Sequence, residues 1–182
     1  TRLALILGDC LFENHRALQP DEHTLFFMAE DAGLCTHFKY HKQKLVLFLS
    51  AMRSHADAVA ENHRLEYRAL NAQNKQQSYE EKLDSLLNEF SAFEELVTYT
   101  IEDHFFAKRI KAWCKKNNLK FTEVQSPKFL FSKADFENYL EKSKKPFMQV
   151  YYKQKRKELN LLLDTNNEPL HGQWSFDEAN RK

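Results

Sequence analysis

Leu3-Ala4-Leu5-Ile6-Leu7-Gly8-Asp9 is an unbroken apolar run that stops at a glycine and an acid. A second run, Thr24 to Ala29, stops in the same way at Glu30. Strands this uniformly apolar belong in a parallel sheet covered on both faces, because a strand with one wet face alternates apolar and polar residues. Three more runs of strand length, Leu65 to Leu70, Leu96 to Ile101 and Leu119 to Val124, alternate with stretches of helical period. That alternation is the pattern of crossover units, so the chain is predicted to be α/β, a five-stranded parallel sheet flanked by helices.

The clearest helix follows the second run. Leu45, Leu49, Met52, Ala56 and Val59 recur at spacings of three and four and form one buried stripe. Ser78 and Glu81 have capping-box spacing ahead of Leu83, Leu86, Leu87 and Phe90, which starts a second helix. A third is predicted over Asp103 to Lys116 and a fourth over Lys133 to Lys142 from a Ser132 cap. The domain boundaries expected are an α/β domain over 1–145, a basic helix over 146–163 and an extended arm over 164–182, where the period disappears.

The whole-chain charge gives no reason to expect nucleic-acid wrapping or adhesion to an anionic membrane, since 27 Lys and Arg face 26 Asp and Glu. Cys10, Cys35 and Cys114 lie far apart without metal-ligand spacing, so no metal is expected and reduced thiols in the cytoplasm are the simplest reading. The longest apolar stretch, Leu45 to Met52, falls far short of the roughly 20 residues of a spanning helix, and no membrane association is expected. With only Gly8, Gly33 and Gly172 in the chain, the glycine loops that cradle dinucleotides and nucleoside triphosphates are excluded. In a parallel sheet of this kind, ligands gather at the carboxyl ends of the strands, which makes Asp9 and Glu30 the first candidates for ligand contacts.

Three blocks carry a likeness beyond this. They are Leu5-Ile6-Leu7-Gly8-Asp9 with Leu11; Met28-Ala29-Glu30 followed by His41-Lys42-Gln43-Lys44-Leu45 and Phe48-Leu49-Ser50-Ala51-Met52-Arg53; and Gly172-Gln173-Trp174-Ser175-Phe176-Asp177 with Asn180-Arg181-Lys182. Together they resemble the photolyase-related family of bacterial flavoproteins, also called iron–sulfur bacterial cryptochromes and photolyases. The resemblance implies a Rossmann-like or flavodoxin-like three-layer sandwich acting as an antenna domain, with a ribityllumazine chromophore near the rim. It carries over Gly8, Asp9, Glu30 and His41 as chromophore contacts, with Lys42 as a further donor. Cys10 and Tyr40 stand at site positions where relatives often have Gln and a second His. It also implies a partner, a following helical domain that binds FAD, holds a four-cysteine iron–sulfur cluster and accepts damaged DNA. The parent would repair a photoproduct, most readily of the (6-4) type, or sense blue light, while this chain alone is not catalytic.

Plainer readings stand beside these. Asp9 and Glu30 are also explained as caps of the turns that follow them. The basic run Lys142, Lys144, Lys145, Lys153, Lys155, Arg156 and Lys157 suits a solvated face better than a phosphate contact. Trp174 and Phe176 read as anchors of the arm. His55, His63 and His104 read as surface positions. The alternative function is a pigment-free domain that docks the catalytic domain or another protein.

Overall fold

The computed structural model describes residues 1–90, 93–175 and 177, and divides the chain into two compact units, Thr1–Lys128 and Phe129–Lys182. In the first unit, β1 (Arg2–Leu5), β2 (Thr24–Ala29), β3 (Leu65–Arg68), β4 (Glu95–Tyr99) and β5 (Lys120–Val124) form one all-parallel sheet in the order β3-β2-β1-β4-β5. Its α-helices are α1 (Ala32–Thr36), α2 (Lys42–Ala60), α3 (Tyr79–Glu89) and α4 (His104–Lys116).

Strand parity divides the core into two layers. Leu3, Leu5, Leu25, Phe27 and Leu96 pack with Tyr79, Leu83 and Leu86 of α3 and Phe106, Ile110 and Trp113 of α4. Ala4, Ile6, Phe26, Met28, Val97 and Tyr99 pack instead with Met52, Ala56 and Val59 of α2. The sheet is thus the middle of a Rossmann-like three-layer sandwich, and the unbroken apolar runs exist because both faces of β1 and β2 are covered. Each fully buried Leu or Phe contributes about 1.5–3 kcal/mol. The two helices of one layer are joined by Trp113 Nε1, which donates to Asp84 at 2.7 Å, and by Arg109 on Glu80.

Local chemistry sets the boundaries. Ser78 and Glu81 form the expected capping box, and Asp103 accepts from the Phe106 N–H at 2.7 Å to start α4. Ladder pairing reaches Ile6, whose N–H donates to the Phe27 carbonyl, after which the Cys10 N–H turns back onto Leu7. The segment between β1 and β2 contains only a 3-10 turn at Arg16–Leu18, and buried Cys10 and Leu18 fill the place of a crossover helix. After β2, α1 starts at Asp31, whose side chain accepts from the Leu34 N–H.

The second unit contains α5 (Lys133–Lys142) and α6 (Met148–Glu158). The unit boundary falls ahead of α5. Its apolar side belongs to a local cluster of Phe131, Phe136, Tyr139 and Tyr151, and the Tyr139 hydroxyl bridges the backbone N–H and carbonyl of Phe147. Ser132 caps α5 as expected. Helix α6 ends at Glu158 rather than near Leu163, because Asn160 and Leu162 take left-handed backbone angles. The carbonyls of Leu161 and Leu162 then accept from buried Arg156, which also reaches Trp174. Trp174 anchors the arm, lying against Lys153, Arg156 and Lys157, while Phe176 and 180–182 fall outside the described residues. Much of the basic run is therefore engaged within its own unit.

Candidate functional site in the crevice between the first and fourth strands

The strand order reverses between β1 and β4. Chains leaving two neighbouring parallel strands toward opposite faces open a crevice at their carboxyl ends, the usual ligand position in such sheets. A cavity of about 280 Å³ occurs at that point. Leu7, Gly8 and Asp9 line it after β1, and Ile101, Glu102 and Asp103 line it after β4. The lining is completed by Ala29 and Asp31 after β2, Leu34 and Cys35 of α1, Tyr40, the Lys44 to Met52 stretch of α2, and Tyr79 and Phe106.

Gly8 is required by how closely α2 passes. A Cβ there would lie 2.5 Å from Phe48 Cζ and 2.7 Å from Met52 Sδ, inside contact distance. The wall is apolar at Leu34, Leu45, Phe48, Leu49 and Phe106, with polar groups at a few points. Asp9 takes Lys128 Nζ at 2.6 Å, an ion pair reaching across from the end of β5. Burial by itself would lower the pKa of the Lys128 ammonium, but the pairing with Asp9 outweighs it and leaves the pKa raised. Asp31 takes Lys82 Nζ at 2.8 Å, and Lys44 Nζ lies 4.5 Å from the centre of the Tyr40 ring. The Cys35 thiol is pushed up by burial and then by Asp31, so it is a neutral wall group rather than a nucleophile.

Of the residues singled out by sequence, Gly8, Asp9 and Tyr40 come together on the cavity wall. Cys10 lies behind it in the second core layer, its thiol raised to about 12 by burial and by Asp9. Glu30 is turned away by strand parity, since it continues the Phe26 and Met28 side of β2 toward α2. There its carboxylate accepts from Arg53 at 2.6 and 3.0 Å, from the Tyr67 hydroxyl at 2.7 Å and from the Leu70 N–H at 2.8 Å. Burial alone would raise its pKa, but Arg53, Leu70 and Tyr67 together outweigh that and hold it below the ordinary carboxylate range. His41 caps α2 by accepting from the Gln43 N–H, and exposed Lys42 follows it, so neither lines the cavity.

Asp31, Lys44, Glu102 and Asp103 are wall residues that sequence reading missed. The signal for the last two lay at the end of β4, whose place beside β1 only the strand order reveals. Another missed group is His15, buried between Tyr99 and α2. Its Nδ1 pairs with the Tyr99 hydroxyl at 3.1 Å and its Nε2 with His55 Nε2 at 2.9 Å, so His55 is no simple surface residue. Among the described residues no group of three metal-ligating side chains converges, and no helix is long and apolar enough to cross a membrane.

Fold and crevice define a doubly wound α/β domain with a cavity at its topological switch point. The model of the deoxyribodipyrimidine photo-lyase-related protein family matches residues 4–182, and the chain belongs to that family. It is similar to a protein of Agrobacterium fabrum (strain C58 / ATCC 33970) named (6-4) photolyase, at 23% identity over 185 residues covering 100% of this chain and 36% of the relative. It is also similar to an uncharacterised protein of Acanthamoeba polyphaga mimivirus, at 30% identity over 84 residues, 44% of this chain and 42% of the relative. The matched stretches thus cover less than half the length of either relative.

Proposed function

We propose that the chain is an antenna-chromophore domain of a photolyase-related flavoprotein and that a ribityllumazine occupies the switch-point cavity. The observation that carries this reading is the cavity's combination of size and lining. At about 280 Å³ it lies just below the roughly 300–1,000 Å³ range of small-ligand clefts, which suits a bicyclic ring with a short chain better than the much larger FAD. Apolar side chains at Leu34, Leu45, Phe48 and Phe106 suit the faces of a flat ring. The carboxylates of Asp9, Asp31, Glu102 and Asp103 are acceptors for ribityl hydroxyls, and Lys44 is a donor for a ring carbonyl. Gly8, Asp9 and Tyr40 would contact the pigment directly, whereas Glu30 would act by holding α2 in place through Arg53.

When bound, such a pigment supplies absorption of near-ultraviolet or blue light for transfer to a flavin. The flavin, FAD, would belong to a following helical domain that also carries the iron–sulfur cluster and meets damaged DNA. Repair of a (6-4) photoproduct by that whole protein is proposed from the name of the Agrobacterium relative. Exposed apolar side chains on the cavity-forming segments, Leu34, Phe38, Leu47 and Phe105, also favour a docking role for this face.

Mixing the chain with ribityllumazine and recording absorbance after gel filtration tests the proposal. Pigment co-eluting in a one-to-one ratio, and lost in Gly8→Val, is the expected result. Elution without pigment at micromolar protein would leave only the docking role.

A further inference from the structure

We infer that the cavity selects its ligand by charge, accepting an uncharged polyhydroxylated heterocycle and rejecting its phosphorylated form, with Glu102 as the specificity-determining residue. The inference rests on the reading that a small pigment occupies the cavity, and it adds which chemical form enters. Four carboxylates, Asp9, Asp31, Glu102 and Asp103, line the cavity against a single ammonium, Lys44. Asp9 and Asp31 are balanced by Lys128 and Lys82, neither of which lines the cavity. Asp103 gives one oxygen to the Phe106 N–H. Glu102 is exposed and makes no hydrogen bond or close ion pair among the described residues, although its charge is felt by the Lys128 ammonium that Asp9 holds. The lining itself therefore carries more carboxylates than ammonium groups, two of them, Glu102 and Asp103, at the end of β4.

The features that usually hold phosphate in doubly wound domains are closed off. Phosphate sits on helix N-termini whose N–H groups are open and whose dipole attracts an anion. Here the four α-helices of the first unit each begin under a side chain of their own: Asp31 on α1, His41 on α2, Ser78 on α3 and Asp103 on α4. Two of those caps are carboxylates on the cavity wall, so they place negative charge where a phosphate would have to lie. A sugar-alcohol hydroxyl meets no such conflict, because it donates to a carboxylate and carries no charge. Lys44 is the one ammonium on the lining itself, and it lies over the Tyr40 ring on the exposed side of α2. Discrimination by an opposing charge of this sort is a repulsive device as much as an attractive one.

The test is a fluorescence titration of the 182-residue chain with a ribityllumazine and with its 5′-phosphate, at low and at physiological salt. Wild type, Glu102→Gln and Glu102→Lys are compared. The wild-type chain is expected to bind the uncharged compound at least about tenfold more tightly, with the ratio shrinking as salt rises. Glu102→Gln keeps the size and one acceptor oxygen but removes the charge, so the ratio of the two affinities, rather than either affinity by itself, is expected to shrink several-fold. Glu102→Lys should bring the two ligands close to parity. Equal wild-type binding of both compounds overturns charge selection and leaves the pigment site standing. Binding of neither overturns the pigment site and the selection with it. A preference unchanged in both variants removes Glu102 from the role, and because the residue is exposed, matching thermal melts establish that the variants are folded.

Discussion

Lys82 Nζ lies 2.8 Å from Asp31 Oδ2 and 2.8 Å from the carbonyl of Gln77, and Lys82 is only 2% exposed. A buried ammonium on α3 thus holds the acid that both starts α1 and forms part of the cavity wall. Charges removed from water are tolerated only when paired and hydrogen-bonded, and breaking one side leaves the other stranded. Lys82→Met should cost roughly 3–5 kcal/mol in urea denaturation. The double variant with Asp31→Asn should recover a large part of that loss. If the single variant melts like wild type, the pair does not organise this end of the sheet.

Glu30 presents the opposite arrangement, a fully buried carboxylate answered by a half-exposed arginine. Glu30→Gln preserves shape but removes the charge that Arg53 grips and turns one oxygen into a donor facing donors. A loss of about 2–4 kcal/mol is expected. Because Glu30 does not line the cavity, affinity for a cavity ligand, measured well below the melting temperature, should stay within about threefold. A variant that keeps its melting temperature but no longer binds pigment would instead make Glu30 a direct contact.

The sheet was legible in the sequence because burial on both faces leaves an unmistakable trace: Leu3 to Leu7 and Thr24 to Ala29 have no polar residue to break them after Thr24. Caps were legible for a similar reason, since Ser78 with Glu81 and Ser132 need only neighbours a few positions away. The cavity was not. Asp9 is brought beside Glu102 and Asp103 by the pairing of β1 with β4, which no local pattern encodes. At the end of β2 a single step of parity decides between the wall, at Ala29 and Asp31, and the underside of α2, at Glu30. Lys82 reads as part of the polar face of α3, and only the long-range approach of Asp31 explains its burial.

Gly8 links the cavity to helix packing. An alanine methyl would displace the Phe48 ring and the Met52 sulfur, both ends of side chains that can move, so Gly8→Ala should fold with a loss of about 1–3 kcal/mol. Valine should do more harm and narrow the cavity enough to weaken any ligand. Pairing Gly8→Ala with Phe48→Leu is expected to restore part of the stability, as a chemical denaturation cycle would show. Additive losses in the double variant would mean that contact with Phe48 is not what the glycine avoids.

Buried His15 couples stability to pH. Burial, reinforced by His55 and His63, lowers its pKa to about 4 from the ordinary 6.5. Tyr99, His55, His63, Phe12 and Phe26 are its neighbours, and none of them is an acid that would welcome an imidazolium. The unfolded chain therefore binds a proton at His15 between about pH 6.5 and pH 4 that the folded chain refuses, and stability falls as pH drops through that window. The loss attributable to this residue is on the order of 2 kcal/mol, to which the lowered pKa of His55 adds in the same direction. His15→Gln, which keeps a hydrogen-bonding side chain without a titrating ring, should flatten the slope between pH 6.5 and pH 4.5. Its neutral-pH stability should also fall, through loss of contacts to Tyr99 and His55. Below about pH 4.5 both proteins should weaken together, as Glu30 begins to protonate and the advantage of its depressed pKa is lost. Urea midpoints collected at half-unit intervals would separate the two regimes, and parallel curves for variant and wild type above pH 4.5 would exclude His15 as the source.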